Sequence, residues 1–181
     1  MKKLYSTKLI ISFFLLILML VPAKAAWGAG KKLVGKKAPE ISISKIFNAK
    51  QKHSLKSLRG QVVLLEFWAT WCPPCIKAMP HLEKLHNKYK NKGLVIISIS
   101  AEKESAIKKF VKSKKLTFPV AIDSGRKTNS SYGIKSIPTA YLIDAAGKVI
   151  WQGHTMNLKN ETIKKALKEV KIKKKNPLPV W

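Results

Sequence analysis

The chain contains two cysteines, Cys72 and Cys75, in the run Phe67-Trp68-Ala69-Thr70-Trp71-Cys72-Pro73-Pro74-Cys75. A spacing of three residues is close to one helical turn, so both sulfurs fall on one face and can bond. If the pair opens a helix, unpaired amides and the positive end of the dipole stabilise a thiolate and lower its pKa. Cys72 is then the exposed nucleophile, and Cys75, one turn further in, is the shielded resolving thiol. Pro73 and Pro74 occupy the first turn, where a missing amide costs little. They also remove two donors from the neighbourhood of the Cys72 sulfur. A merely structural disulfide would close too small a loop to constrain the unfolded chain much. A metal site would need ligands from His53, His81, His86, His154 or Met79, and no spacing among these suggests a tetrahedral set. The residues therefore favour reversible dithiol chemistry, with no metal and no cofactor.

Such a pair needs a rigid strand before it and a helix after it. Val62 to Phe67 is a nearly continuous apolar run, as expected of a strand buried on both faces. Its one carboxylate, Glu66, lies six residues before Cys72. Burial would raise its pKa, and it would then take the Cys75 proton as that thiol attacks a mixed disulfide. The alternative is a carboxylate at an edge or paired with a lysine. From Pro73 to Lys90, Ile76, Met79, Leu82, Leu85 and Tyr89 recur at helical spacing, with Pro80 expected to kink the helix.

Further elements follow in alternation. Leu94–Ile99 is a second buried strand, 102–116 a helix, and 119–122 a short strand. Strands 139–143 and 148–152 are joined by the turn signal Asp144-Ala145-Ala146-Gly147, and 160–171 is a last helix. Before the first buried strand, Glu40–Ile46 alternates like a short strand. The pattern predicts an α/β fold with a central mixed sheet flanked by helices.

Lys+Arg number 36 against 9 Asp+Glu, a formal +27. Only Arg59 and Arg126 are arginines, which disfavours a reader of DNA base edges. No nucleic-acid partner is expected. A hydrophobic fraction of 46% is enough for a core and excludes general disorder. Lys2, Lys3 and Lys8 precede an apolar run from Leu9 to Val21, and Ala23-Lys24-Ala25 resembles a cleavage site. Residues 1–25 therefore read as a secretory signal peptide, or as an uncleaved anchor. Removing the four lysines of that segment leaves +23. Residues 26–37 read as a flexible leader, 38–171 as the folded domain, and 172–181 as a poorly ordered basic tail. The tail is a solvated charge run or a membrane-surface contact. Whether residues 1–25 are cleaved or kept as an anchor, the domain is expected outside the cytoplasm.

The cysteine stretch resembles the thioredoxin superfamily, and most of all its extracytoplasmic TlpA-, ResA- and CcmG-like thiol-disulfide oxidoreductases. The resemblance covers roughly Gly35 to Val170. It rests on the strand ending at Trp68, the cysteine run, Ser136-Ile137-Pro138-Thr139, Tyr141-Leu142-Ile143-Asp144 and Gly147-Lys148. It implies a thioredoxin-like fold with an N-terminal β extension and an inserted helix. Pro138 matches the family's cis-proline, which sets the backbone of Ile137 beside the active sulfur to pair with a substrate strand. Glu66 matches the buried acid of thioredoxin, where the extracytoplasmic branch often has Asn. Trp71, Pro73, Ile137 and Thr139 would contact substrate. ResA-like proteins carry Glu three residues after the second cysteine, where this chain has Ala78. CcmG-like proteins carry Glu directly after the cis-proline, where it has Thr139. Both departures bear on a role in cytochrome c maturation.

The leading expectation is a monomeric protein-disulfide reductase, re-reduced by a membrane thiol donor of the DsbD or CcdA kind. One alternative is a copper chaperone like the Sco proteins, using Cys72, Cys75 and His154, although Sco-like sites place three residues between the cysteines. The other is a thiol peroxidase on a related fold, although no Pro-x-x-x-Thr-x-x-Cys pattern precedes either cysteine.

Overall fold

The structure is a computed structural model that describes residues 30–49 and 54–175. The proposed signal segment, residues 26–29 of the leader, His53 and residues 176–181 of the tail lie outside the described residues. Six strands are β1 (Lys45–Phe47), β2 (Val62–Phe67), β3 (Leu94–Ser100), β4 (Val120–Ile122), β5 (Thr139–Ile143) and β6 (Val149–Gly153). The helices are α1 (Pro73–Tyr89), α2 (Glu104–Lys114), α3 (Lys127–Ser131) and α4 (Asn160–Lys175). α1 continues through Pro80. Among the described residues, no helix is long and apolar enough to cross a membrane.

One mixed sheet has the order β1-β4-β3-β2-β5-β6. β2 runs parallel to β3, and β3 parallel to β4, while β5 is antiparallel to both β2 and β6. Every residue of β2 is buried because it is central and covered on both faces. Side chains alternate along a strand, which divides the core in two. Val62, Leu64 and Trp68 pack with Cys75, Met79, Leu82 and Leu85 of α1, Ile107 of α2 and Ile163 of α4. Val63, Leu65 and Phe67 pack on the other face with Leu33, Leu55, Leu58, Tyr132 and Tyr141.

Three expectations need correction. The last helix does not stop at 171 but includes residues 172–175 of the expected tail. Of the expected strand Glu40–Ile46 only Lys45 and Ile46 are in a strand, β1, where pairing begins. Upstream, backbone donors are taken by side chains instead of a ladder. The Glu40 carboxylate accepts from Ile41, Leu55 and Lys56 amides, and Ser42 N–H donates to Thr128 Oγ1. Nor is the leader flexible over its described part. Lys31 N–H donates to the Tyr132 carbonyl, Gly35 N–H to that of Val149, and Ala38 N–H to that of Gly147. Leu33 and Ala38 are buried. This strap satisfies β6, which ends the sheet and would otherwise present open edge groups. A Cβ on Gly30 would sit 2.5 Å from both the Tyr132 carbonyl oxygen and Tyr141 Oη, so only glycine fits there.

Candidate active site

β2 and β3 run parallel, so their C-terminal ends emerge side by side and the chain leaving each builds the site. The segment after β2 is pinned at several points. Trp68 N–H donates to the Ile99 carbonyl, and Cys72 N–H to that of Ala69. The Glu102 carboxylate, from the chain after β3, accepts from Thr70 N–H at 2.7 Å, Thr70 Oγ1 at 2.6 Å and Ser100 Oγ at 3.0 Å. Charge-assisted bonds of this kind are roughly twice as strong as neutral ones.

Cys72 is the N-cap of α1, with extended backbone (φ −100°, ψ 98°). The sulfur takes the role of a capping oxygen. Pro73 and Pro74 fill the first two helical positions and carry no N–H, so the first free amide of the helix is that of Cys75. It donates to Cys72 Sγ at 3.3 Å. The two cysteines form a disulfide with Cα atoms 5.3 Å apart. Cys75 is fully buried, as expected of an inner thiol. Cys72 is only 3% exposed, contrary to the expectation of an exposed outer cysteine. It packs within the α1 core cluster, with Ile137 against the same cluster.

Glu66 shares the parity of Val62, Leu64 and Trp68, which places it on the α1 face of the sheet, the face that holds Cys75. It is paired in register with Ser98 on one side and Ala140 on the other. The edge or lysine-paired alternative is thereby removed, because the residue is fully buried. Ser98 Oγ donates to Glu66 Oε2, and Oε1 has no partner. Burial pushes the carboxyl up from 4.5 to about 8, against the opposing pull of the Ser98 hydrogen bond. In this disulfide form burial therefore favours the protonated carboxyl.

The Ile137–Pro138 bond is cis. Trp71, 71% exposed, and Ile137 face a groove of about 200 Å3 that also takes in Trp68, Glu102, Arg126 and Lys135. Trp68 is otherwise core, packed on Phe110 with ring centroids 5.0 Å apart. Pro73 is exposed beside the cysteines. Thr139 is 2% exposed, and its hydroxyl donates to the Ser136 carbonyl at 2.7 Å. Its side chain closes the loop rather than facing the groove. His81 and His86 are half-buried on α1 rather than fully solvated, and burial lowers both pKa values. His154 Nδ1 accepts from Met156 N–H at 3.2 Å. Among the described residues, no group of three or more His, Cys, Asp or Glu could hold a metal ion.

Sequence reasoning missed Glu102 and Asp123. Buried Asp123 accepts from the amides of Thr128 and Asn129 and from Asn129 Nδ2. That fixes the start of α3 next to Arg126 at the groove. The one available signal was positional: both acids lie within two residues of the end of a parallel strand, at the carboxyl ends where α/β sheets place their sites.

Residues 34–152 match the AhpC/TSA family. A thiol-disulfide oxidoreductase ResA of Bacillus anthracis is 46% identical over 123 residues, 67% of this chain and 70% of the relative. The ResA of Bacillus thuringiensis subsp. konkukian is 43% identical over 148 residues, 81% of each. Among solved structures, a thiol:disulfide interchange protein from Bacteroides sp. superposes with a TM-score of 0.63 at 27% identity, covering 75% of this chain and 90% of that one.

Proposed function

The chain belongs to the AhpC/TSA family and is a thiol-disulfide oxidoreductase of the ResA kind; from that premise we propose that it is a protein-disulfide reductase working outside the cytoplasm. The observation that carries the reading is the Cys72–Cys75 disulfide at a helix N-terminus, with a buried acid on the same face of the sheet as Cys75 and a groove lined by Trp68, Ala69 and Trp71 just before it.

In the reduced protein the Cys72 thiolate attacks one sulfur of a substrate disulfide. The Cys72–substrate bond forms, the substrate S–S bond breaks, and one substrate thiolate leaves. Cys75 then attacks Cys72 Sγ. For this step Glu66 must first have released its own proton to solvent; the carboxylate then takes the Cys75 proton, the Cys72–Cys75 bond forms, and the second substrate thiolate departs. Two electrons have moved to the substrate. A dithiol donor returns them by opening the disulfide, and neutral Glu66 gives its proton back to the Cys75 sulfur. We assign that role to a membrane thiol carrier of the DsbD or CcdA kind. Ile137, beside cis-Pro138, pairs with the extended substrate, and Trp71 supplies an apolar wall. Export of the domain follows from reading residues 1–25 as a signal or anchor. Cytochrome c maturation is the finer proposal, and Ala78 and Thr139 mark where this site differs from the ResA and CcmG patterns.

Cys75→Ala tests the order of attack. It should accumulate a mixed disulfide between Cys72 and a protein substrate, seen as a dithiothreitol-sensitive adduct by mass spectrometry. Adducts that form with Cys72→Ala and not with Cys75→Ala would reverse the roles of the two thiols.

A further inference from the structure

At the end of α1 away from the cysteines there is a second hollow, of about 270 Å3, lined by Lys88, Tyr89, Lys92, Lys164, Leu167 and Lys168. Its floor is apolar: Tyr89 is 3% exposed and Leu167 5%. Its other lining residues are four lysines contributed by α1, the turn that follows it, and α4. Lys88 Nζ and Lys92 Nζ lie 5.4 and 5.8 Å from the Tyr89 ring centroid, near enough for a cation–π attraction. The Tyr89 hydroxyl donates to Asn160 Oδ1 at 3.1 Å, which ties that ring to the start of α4. One carboxylate, Glu161, pairs with Lys164 at 3.9 Å, with both side chains mostly exposed. An exposed pair of that length neutralises little. Four like charges around one hollow repel each other, and an anion seated among them relieves that repulsion.

The occupant can be narrowed further. A lysine joins an apolar stem to a charged end, and four of them share this hollow with Tyr89 and Leu167, which suits a ligand that is itself anionic and apolar. The hollow has no arginine fork for base edges and no exposed ring on which a base could stack. α4 runs on to Lys175, and helix positions 171 and 175 continue the row of 164 and 168. Lys88 is sixteen residues along α1 from Cys72, about 24 Å at the helical rise.

We propose that this basic hollow seats the phosphate of an anionic phospholipid headgroup, so that the protein rests on an anionic membrane surface with its dithiol facing away. This docking is independent of the redox direction. Each lysine held near such a surface adds attraction that salt screens.

The test is the partition of the full chain onto phosphatidylglycerol–phosphatidylcholine vesicles compared with phosphatidylcholine alone. The contrast subtracts any insertion by the N-terminal apolar run. Binding to the anionic vesicles should be roughly tenfold tighter or more, and should weaken with salt. The variant Lys88→Gln, Lys92→Gln, Lys164→Gln, Lys168→Gln should lose most of that preference. A control with Lys103, Lys108, Lys109 and Lys112 changed to Gln has the same net charge and should keep it. Insulin reduction should be unchanged in both variants, which reports folding. Equal losses in the two variants would mean that net charge alone acts, and would overturn the site. No preference for anionic vesicles, displacement by inorganic phosphate at low concentration, or tighter binding to an oligonucleotide would each overturn the lipid assignment.

Discussion

Glu66→Gln should reverse the sign of its effect on stability as pH rises. The folded carboxyl titrates at about 8 against 4.5 for the ordinary group, because burial outweighs the Ser98 hydrogen bond. Between those values the folded protein holds a proton that the unfolded chain has released. Stability therefore falls as pH rises through this window. Each unit is worth about 1.4 kcal/mol, so the whole window amounts to about 5 kcal/mol. Gln cannot ionise and escapes that loss. Its amide nitrogen, however, would take the place of Oε1, which has no partner, at a cost of about 1–3 kcal/mol. The variant should thus be the less stable protein at pH 4.5 and the more stable at pH 8, by about 2–4 kcal/mol. Urea unfolding of both oxidised proteins between these limits measures the difference, and the other titrating groups cancel in the subtraction. A difference independent of pH would refute the buried, proton-holding carboxyl.

Two further outcomes follow from named contacts. Glu102→Ala removes both bonds to Thr70 and should cost about 2–3 kcal/mol in urea unfolding. It should also slow insulin reduction, because the loop before Cys72 loses its tether; an unchanged rate would show that the tether does not position the thiol. Gly30→Ala places a Cβ 2.5 Å from two oxygens and should undock the strap. Limited proteolysis should then cut near Lys31–Lys37 much faster than in the parent, and equal cutting would deny the strap's role in covering β6.

The central strands were legible because burial on both faces leaves an unbroken apolar run, as in Val62–Phe67 and the strand Leu94–Ser100. The helix after the cysteines was legible from three-and-four spacing, and the dithiol from its own chemistry. Glu66 was legible as a carboxylate stranded in an apolar strand. The failures share a cause. Ile41 and Ile43 alternate like a strand, but Glu40 and Thr128 side chains consume the donors a ladder would use. The strap looks like a Gly- and Lys-rich linker, and only the open edge of β6 explains its docking. Glu102 is bonded to Thr70 across a parallel strand pair, a neighbour relation that local sequence does not carry. Cys72 is buried by its core neighbours, not by its flanking residues.

The proposed function makes Cys72 and Cys75 a reducing dithiol. The most direct measurement is the equilibrium reduction potential of the pair, with insulin reduction by the same preparation and Cys72→Ala as control. A reducing dithiol should show a potential nearer that of thioredoxin, about −270 mV, than that of a strong oxidant such as DsbA at about −120 mV, and insulin reduction that the control abolishes. A potential close to the oxidant value, with no reduction of insulin, would contradict it.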